Sequence, residues 1–191
     1  MTGTTTINSE LTLKRLELLK ETVATVSRVA FLRNPSDASN VLGSLKELQD
    51  SARALGLTIR PVEVRNASEF DAAFSAMTRE GIQALIVLAG TLTSAHRKPI
   101  VDLAAKARLP AMYGDAGFVE VGGLMSYAAN FAEQYRRAAV YVDKIVKGAK
   151  PTDLPVEAPT KFELIINLKA AKQIGVTIPP SVLVRADKVI K

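Results

Sequence analysis

The chain has 191 residues, enough for one ordinary domain with a hydrophobic core, or one domain with a helical appendage, and too few for two full domains. Cysteine is absent, which excludes a disulfide framework and thiolate chemistry, and no apolar run is long enough to cross a bilayer. The formal net charge of +6 is scattered over lysines and arginines interrupted by apolar or acidic residues; with no basic stripe and no interleaved aromatics, it argues against nucleic acid as a partner.

The opening residues, MTGTTTINSE, carry neither the basic start nor the apolar stretch of a secretory signal. Ser9 is placed to cap a helix from about Leu11 to Val23, with Leu13, Leu16, Leu19 and Val23 along one face. The next stretch, RVAFLRNPSDASN, is the one around which the fold is read. Val29 to Leu32 form a short, wholly apolar run, which suits a strand buried on both faces of a parallel sheet. Asn34, Pro35, Ser36 and Asp37 then make a turn, and Asp37 or Ser39 caps a helix with Leu42, Leu45, Leu48, Ala52 and Leu55 at helical spacing.

The pattern repeats. Thr58 to Val64 reads as a second strand, followed by Ser68 and Asp71 in capping-box spacing and a helix whose apolar side is Phe70, Phe74 and Met77. Ala84 to Leu88 is a third buried strand ending at Gly90, Thr91 and Thr93, with a helix from about Ser94 to Ala107. A fourth strand, Ala111 to Tyr113, ends in Gly114 and Asp115, and a fifth follows from Leu124 to Tyr127. Short connections between such units imply right-handed crossovers, so the prediction is an α/β fold with a Rossmann-like, doubly wound parallel sheet in the order 2-1-3-4-5. Beyond it come a helix from about Ala132 to Lys147, a Pro-rich connector, a sixth strand from Phe162 to Leu168, a short helix, and a last helix from Ser181 to Val189.

Catalytic chemistry is thinly represented. His96 is the sole histidine and has no motif around it, neither phosphate-cradling glycine motif follows a strand, and a zinc site lacks ligands, so no metal or cofactor is expected. The third strand ends in Leu88-Ala89-Gly90, which removes the aspartate that a phosphoacceptor domain of this fold requires. The three strand-end turns offer hydrogen bonding instead: Asn34, Ser36, Asp37 and Ser39, then Gly90, Thr91 and Thr93, then Tyr113, Gly114 and Asp115. These suit a small polar ligand, with a carboxylate at the free N–H groups and an amine at Asp115 or Asp37. Two further readings stay open: a small-molecule enzyme using Asp115 and Asp37 as acid and base, and a ligand-sensing regulatory domain.

The tail LPVEAPTKFELIINLKAAKQIGVTIPPSVLVRADKVI, with KRLELLKETV before the central strand and NPSDASN after it, resembles the substrate-binding proteins of a bacterial ABC importer family whose better-understood members are similar to receptors for aromatic amino acids. The resemblance implies one lobe of a type I periplasmic-binding-protein-like fold: a solute-binding component of an importer that takes a small carboxylate-bearing metabolite, such as an amino acid, without catalysis. It also implies a periplasmic location, importer membrane subunits as partners, and a first lobe and signal peptide lying mostly outside this sequence. On this mapping residues 1–24 lead into the lobe, 25–126 are the Rossmann-like ligand-binding lobe, 127–158 are a hinge crossing at Ser126, Tyr127 and Asn130 with a helix and connector, and 159–191 return to the lobe. The apolar side of the helix over residues 132–147 is then left for a homodimer contact.

Overall fold

The computed structural model describes residues 3–4, 8–37 and 45–191, and over residues 28–129 its strands are separated by helices as the periodicity requires. Nine strands occur among the described residues: β1 (Gly3–Thr4), β2 (Arg28–Arg33), β3 (Thr58–Glu63), β4 (Ala84–Val87), β5 (Ala111–Tyr113), β6 (Met125–Ala129), β7 (Val156–Glu157), β8 (Phe162–Asn167) and β9 (Lys188–Ile190). The helices are α1 (Asn8–Thr22), α2 (Leu45–Ala54), α3 (Phe70–Arg79), α4 (Thr91–Ala95), α5 (Arg97–Lys106), α6 (Gly117–Glu120), α7 (Phe131–Val146), α8 (Leu168–Ile174) and α9 (Pro180–Leu183).

Seven strands form one sheet in the order β3-β2-β4-β5-β6-β8-β9, so the predicted order of the first five is the observed one. All pairings in it are parallel except β6 with β8, which run antiparallel from Met125 opposite Ile166 to Ala129 opposite Phe162. Pro61 sits in β3, at the sheet's edge, where its missing N–H costs no ladder bond.

Each face of the sheet carries its own core. Val29 and Phe31 of β2 pack with Leu16, Leu18 and Leu19 of α1, Leu48 and Ala52 of α2, and Ala170 and Ala171 of α8. Ala30 and Leu32, one residue out of phase, pack with Phe70, Phe74 and Met77 of α3, Ile100 and Ala104 of α5, and Phe118 of α6. The strand alternation therefore distributes β2 between two layers, which is why its sequence reads as continuously apolar.

Several boundaries differ from the sequence reading. α1 begins at Asn8, so Ser9 lies inside the helix, and its buried face runs through Leu11, Arg15, Leu16, Leu18 and Leu19, with Leu13 only half-buried. The cap of α3 is not Ser68 with Asp71. Asn66 accepts the Ser68 N–H at 3.1 Å, Glu69 accepts the Arg65 N–H at 2.8 Å, and a short 3₁₀ turn over Ala67–Glu69 leads into the helix. The helix expected from Ser94 starts at Thr91 and breaks at His96 into α4 and α5. The last predicted helix is only α9; it gives way to β9, whose Ile190 pairs with Asn167. Ser39 and Leu42 lie outside the described residues.

The segment from α7 to β7 stands apart from the seven-stranded sheet. β7 pairs with β1 as an isolated two-stranded ribbon, and Tyr141 of α7 is buried, its hydroxyl donating to the Pro155 carbonyl at 2.8 Å. The other side of α7 is bare: Ala132, Tyr135, Ala139, Val142 and Val146 are exposed at alternating spacings of three and four.

Candidate functional site

The carboxyl ends of β2, β4 and β5 lie side by side. Leu88 donates to the Leu32 carbonyl at 3.2 Å and Gly114 donates to the Val87 carbonyl at 3.0 Å, so the three strand-end turns are tied into one edge. In the first turn the Asn34 carboxamide accepts the Ser36 N–H at 2.9 Å and the Asn34 carbonyl accepts the Asp37 N–H at 3.2 Å, an Asx turn within a β-turn. Ser36 is exposed, while Asn34 and Asp37 are half-buried.

In the second turn Gly90 is extended and caps α4, Thr91 is exposed, and Ser94 N–H donates to the Gly90 carbonyl at 2.8 Å. Thr93 does not face the edge. It is fully buried, and its hydroxyl donates to the Leu88 carbonyl at 2.7 Å, so it holds the turn from below.

The third turn passes close to the second. A Cβ on Gly114 would lie 3.0 Å from the Ala89 backbone nitrogen, so this position accepts little beyond hydrogen. Tyr113 is also interior: its ring stacks on Phe118 at 4.7 Å between centroids, and burial raises its phenol pKa well above the ordinary value. It belongs to the packing and not to a ligand wall. Asp115 is 8 % exposed and fully engaged: one oxygen accepts the Gly117 N–H at 2.7 Å, while the other pairs with Arg97 and takes the Ser94 hydroxyl at 3.5 Å. The Arg97 guanidinium lies over the Phe118 ring.

Next to this edge, β6 reaches the predicted hinge. Ser126 is buried, its hydroxyl without a hydrogen-bond partner among the described residues, Tyr127 is half-buried, and Asn130 caps α7 by accepting the Glu133 N–H at 3.0 Å. The last pair between β5 and β6 is Tyr113 with Ser126, and one residue beyond it the Tyr127 carbonyl accepts Arg15 Nε at 2.8 Å. Arg15 is only 2 % exposed, and burial lowers its pKa to about 10, so it remains charged at neutral pH. Asn130 also donates to Glu163 at 2.6 Å. Ala116, Ala128, Ala129, Asn130, Ala132 and Glu163 line an open depression of about 180 Å³ beside the third turn.

Four residues of this region escape a reading of strand ends. Arg97 and Ser94 reach the third turn from the following helices, Glu163 comes from a strand far along the chain, and Arg15 lies in a charged stretch that looks solvated. Its spacing from Leu11, Leu18 and Leu19 places it on the apolar face, which was the available signal. No group of three potential metal ligands occurs among the described residues.

Over residues 1–190 the sequence matches the family described as ABC transporter substrate binding protein. The chain belongs to this substrate-binding family. Among solved structures it is similar to the ABC domain in complex with L-Trp from Streptococcus pneumonia, at 28% identity and a TM-score of 0.87 over 99% of this chain and 64% of the other. It is equally similar to a conserved domain protein from Vibrio cholerae, at 28% identity and a TM-score of 0.87, covering 98% and 62% of the two chains. A solute-binding protein from Agrobacterium vitis with bound allitol shares the fold at 15% identity, with a TM-score of 0.61 over 88% and 63%. None of the curated proteins matches. The chain thus spans less than two thirds of the length of the first two of these solved structures, and its architecture is periplasmic-binding-protein-like.

Proposed function

We propose that this chain supplies one face of the solute cleft of an extracytoplasmic ABC-importer receptor, working with importer membrane subunits, and that it binds a small carboxylate-bearing solute, in the amino-acid class, without catalysis. The observation that carries the reading is the joined edge of three strand-end turns, in a chain whose L-Trp-bound relative superposes over almost its whole length. The exposed Ser36 and Thr91 and the half-buried Asn34 offer polar groups to a solute there, and Asp115, the acid that an enzyme reading would use, is already paired with Arg97. One face alone does not exclude water, so affinity is low, with Kd on the order of 1 mM.

A thermal-shift panel tests this. Near tenfold excess over Kd, L-Trp stabilises by about 1.4 kcal/mol and raises Tm by about 3–5 °C, while a polyol such as allitol leaves it unchanged. A polyol response with no amino-acid response overturns the amino-acid assignment.

The bare side of α7 is covered, in this reading, by a second copy of the chain. Tyr135, Ala139, Val142 and Val146 form a seam with coiled-coil spacing, and an antiparallel crossing brings Arg136 of one copy opposite Asp143 of the other. Native mass spectrometry is expected to give a dimer, and Val142→Glu a monomer. A wild-type monomer at high concentration contradicts the contact.

A further inference from the structure

Resting on the solute-binding reading above, we propose that the alanine-walled depression beside the third turn is the subsite for the solute's primary ammonium group on its apolar body, with the Glu163 carboxylate as acceptor. The third-turn acid, Asp115, has no capacity left: its two oxygens are taken by the Gly117 N–H, Arg97 and the Ser94 hydroxyl. Glu163 is different. Among the described residues its carboxylate accepts one hydrogen bond, at 2.6 Å, from the Asn130 carboxamide, a neutral donor, and no Lys or Arg forms an ion pair with it.

That carboxylate is also held in place. Asn130, which donates to it, is fixed at three points: its side-chain oxygen accepts the Glu133 N–H at 3.0 Å, its backbone N–H donates to the Lys161 carbonyl at 3.2 Å, and it closes the end of β6. Ala128 faces Glu163 directly across the antiparallel pair, so the carboxylate stands on the strand that forms the floor. The second carboxylate oxygen remains for a ligand. Ala116, Ala128, Ala129 and Ala132 leave about 180 Å³ in front of it and lower the local dielectric, which strengthens a charge-assisted hydrogen bond. An ammonium group with apolar atoms behind it matches this surface; a second carboxylate is repelled from it.

The test is a titration of the full chain, followed by backbone-amide NMR, with two probes that share an indole body: tryptamine, which carries only the amine, and indole-3-propionate, which carries only the carboxylate. Tryptamine is expected to shift the amides of Ala128, Ala129, Asn130 and Glu163, and indole-3-propionate to leave them in place. Glu163→Gln retains an oxygen for the Asn130 bond, so the fold persists, while tryptamine affinity falls at least about tenfold, as expected for loss of a charge-assisted contact. Ala116→Leu, which fills the depression, has the same effect. Equal shifts with both probes, unchanged affinity in Glu163→Gln, or no shift at these four amides overturns the subsite. If these amides stay silent while those of Asn34, Ser36 and Gly90 move, the subsite fails and the solute-binding reading stands; if no amide moves and the thermal panel is flat, both fail.

Discussion

Replacing Arg15 is expected to separate the volume of its side chain from its charge: Arg15→Ala destabilises the chain by about 2–3 kcal/mol, whereas Arg15→Met stays within about 1 kcal/mol of the wild type. The guanidinium is buried, and its single hydrogen bond among the described residues goes to the Tyr127 carbonyl. Burial lowers its pKa from the ordinary arginine value to about 10, a penalty on the charged form of about 3 kcal/mol. Alanine removes that penalty but leaves a cavity and an unsatisfied carbonyl. Methionine refills most of the volume, so relief of the charge roughly offsets the lost hydrogen bond. The sign with pH follows. Above about pH 10, up to the ordinary arginine range, the unfolded state holds a proton that the folded state has lost, so stability rises with pH there, and well below pH 10 Arg15 adds no slope. Urea melts of the three proteins at neutral pH read the difference directly. Equal loss in both variants would show that the hydrogen bond to β6 dominates.

Asp115→Ala is expected to cost about 2–3 kcal/mol, a little less than a fully buried pair because Arg97 is partly exposed. Three interactions end on this carboxylate, and its removal leaves the Gly117 N–H without an acceptor and Arg97, whose buried Nε already lacks one, without a counter-charge. Asp115→Asn keeps an oxygen for Gly117 and is expected to lose about half as much. Thermal melts check the order, with a shift of about 2–4 °C for each kcal/mol in a chain of this size. An alanine variant as stable as the wild type would mean that the pair is merely a surface contact.

These two residues also mark how far the sequence could be read. The doubly wound sheet was legible because Val29–Leu32 and Ala84–Leu88 are apolar on both faces and each is followed by turn formers, a local signal. Turn membership was equally legible, so Asn34, Gly90 and Gly114 emerge together at one edge. Side-chain direction was not. Thr93 and Tyr113 belong to the same turns yet point into the interior, a matter of helix phase and stacking against Phe118 that strand-end position does not encode. Glu163 approaches Asn130 through the antiparallel β6–β8 pairing, a contact between positions 33 residues apart, and β9 was missed because three residues with one valine and one isoleucine resemble a helix end. Capping moved from Ser68 to Asn66 because the helix is entered through a 3₁₀ turn.

The central claim is that the joined strand-end turns hold a solute and do not transform it. Titrating L-Trp into the isotopically labelled chain while recording both the protein amides and the solute's own spectrum tests it most directly. The account predicts graded shifts at Asn34, Ser36, Gly90, Thr91 and Gly114, an unmoved α3 on the covered face of the sheet, and a solute recovered unchanged. Shifts confined to elements away from this edge, or conversion of a solute into product, would contradict it.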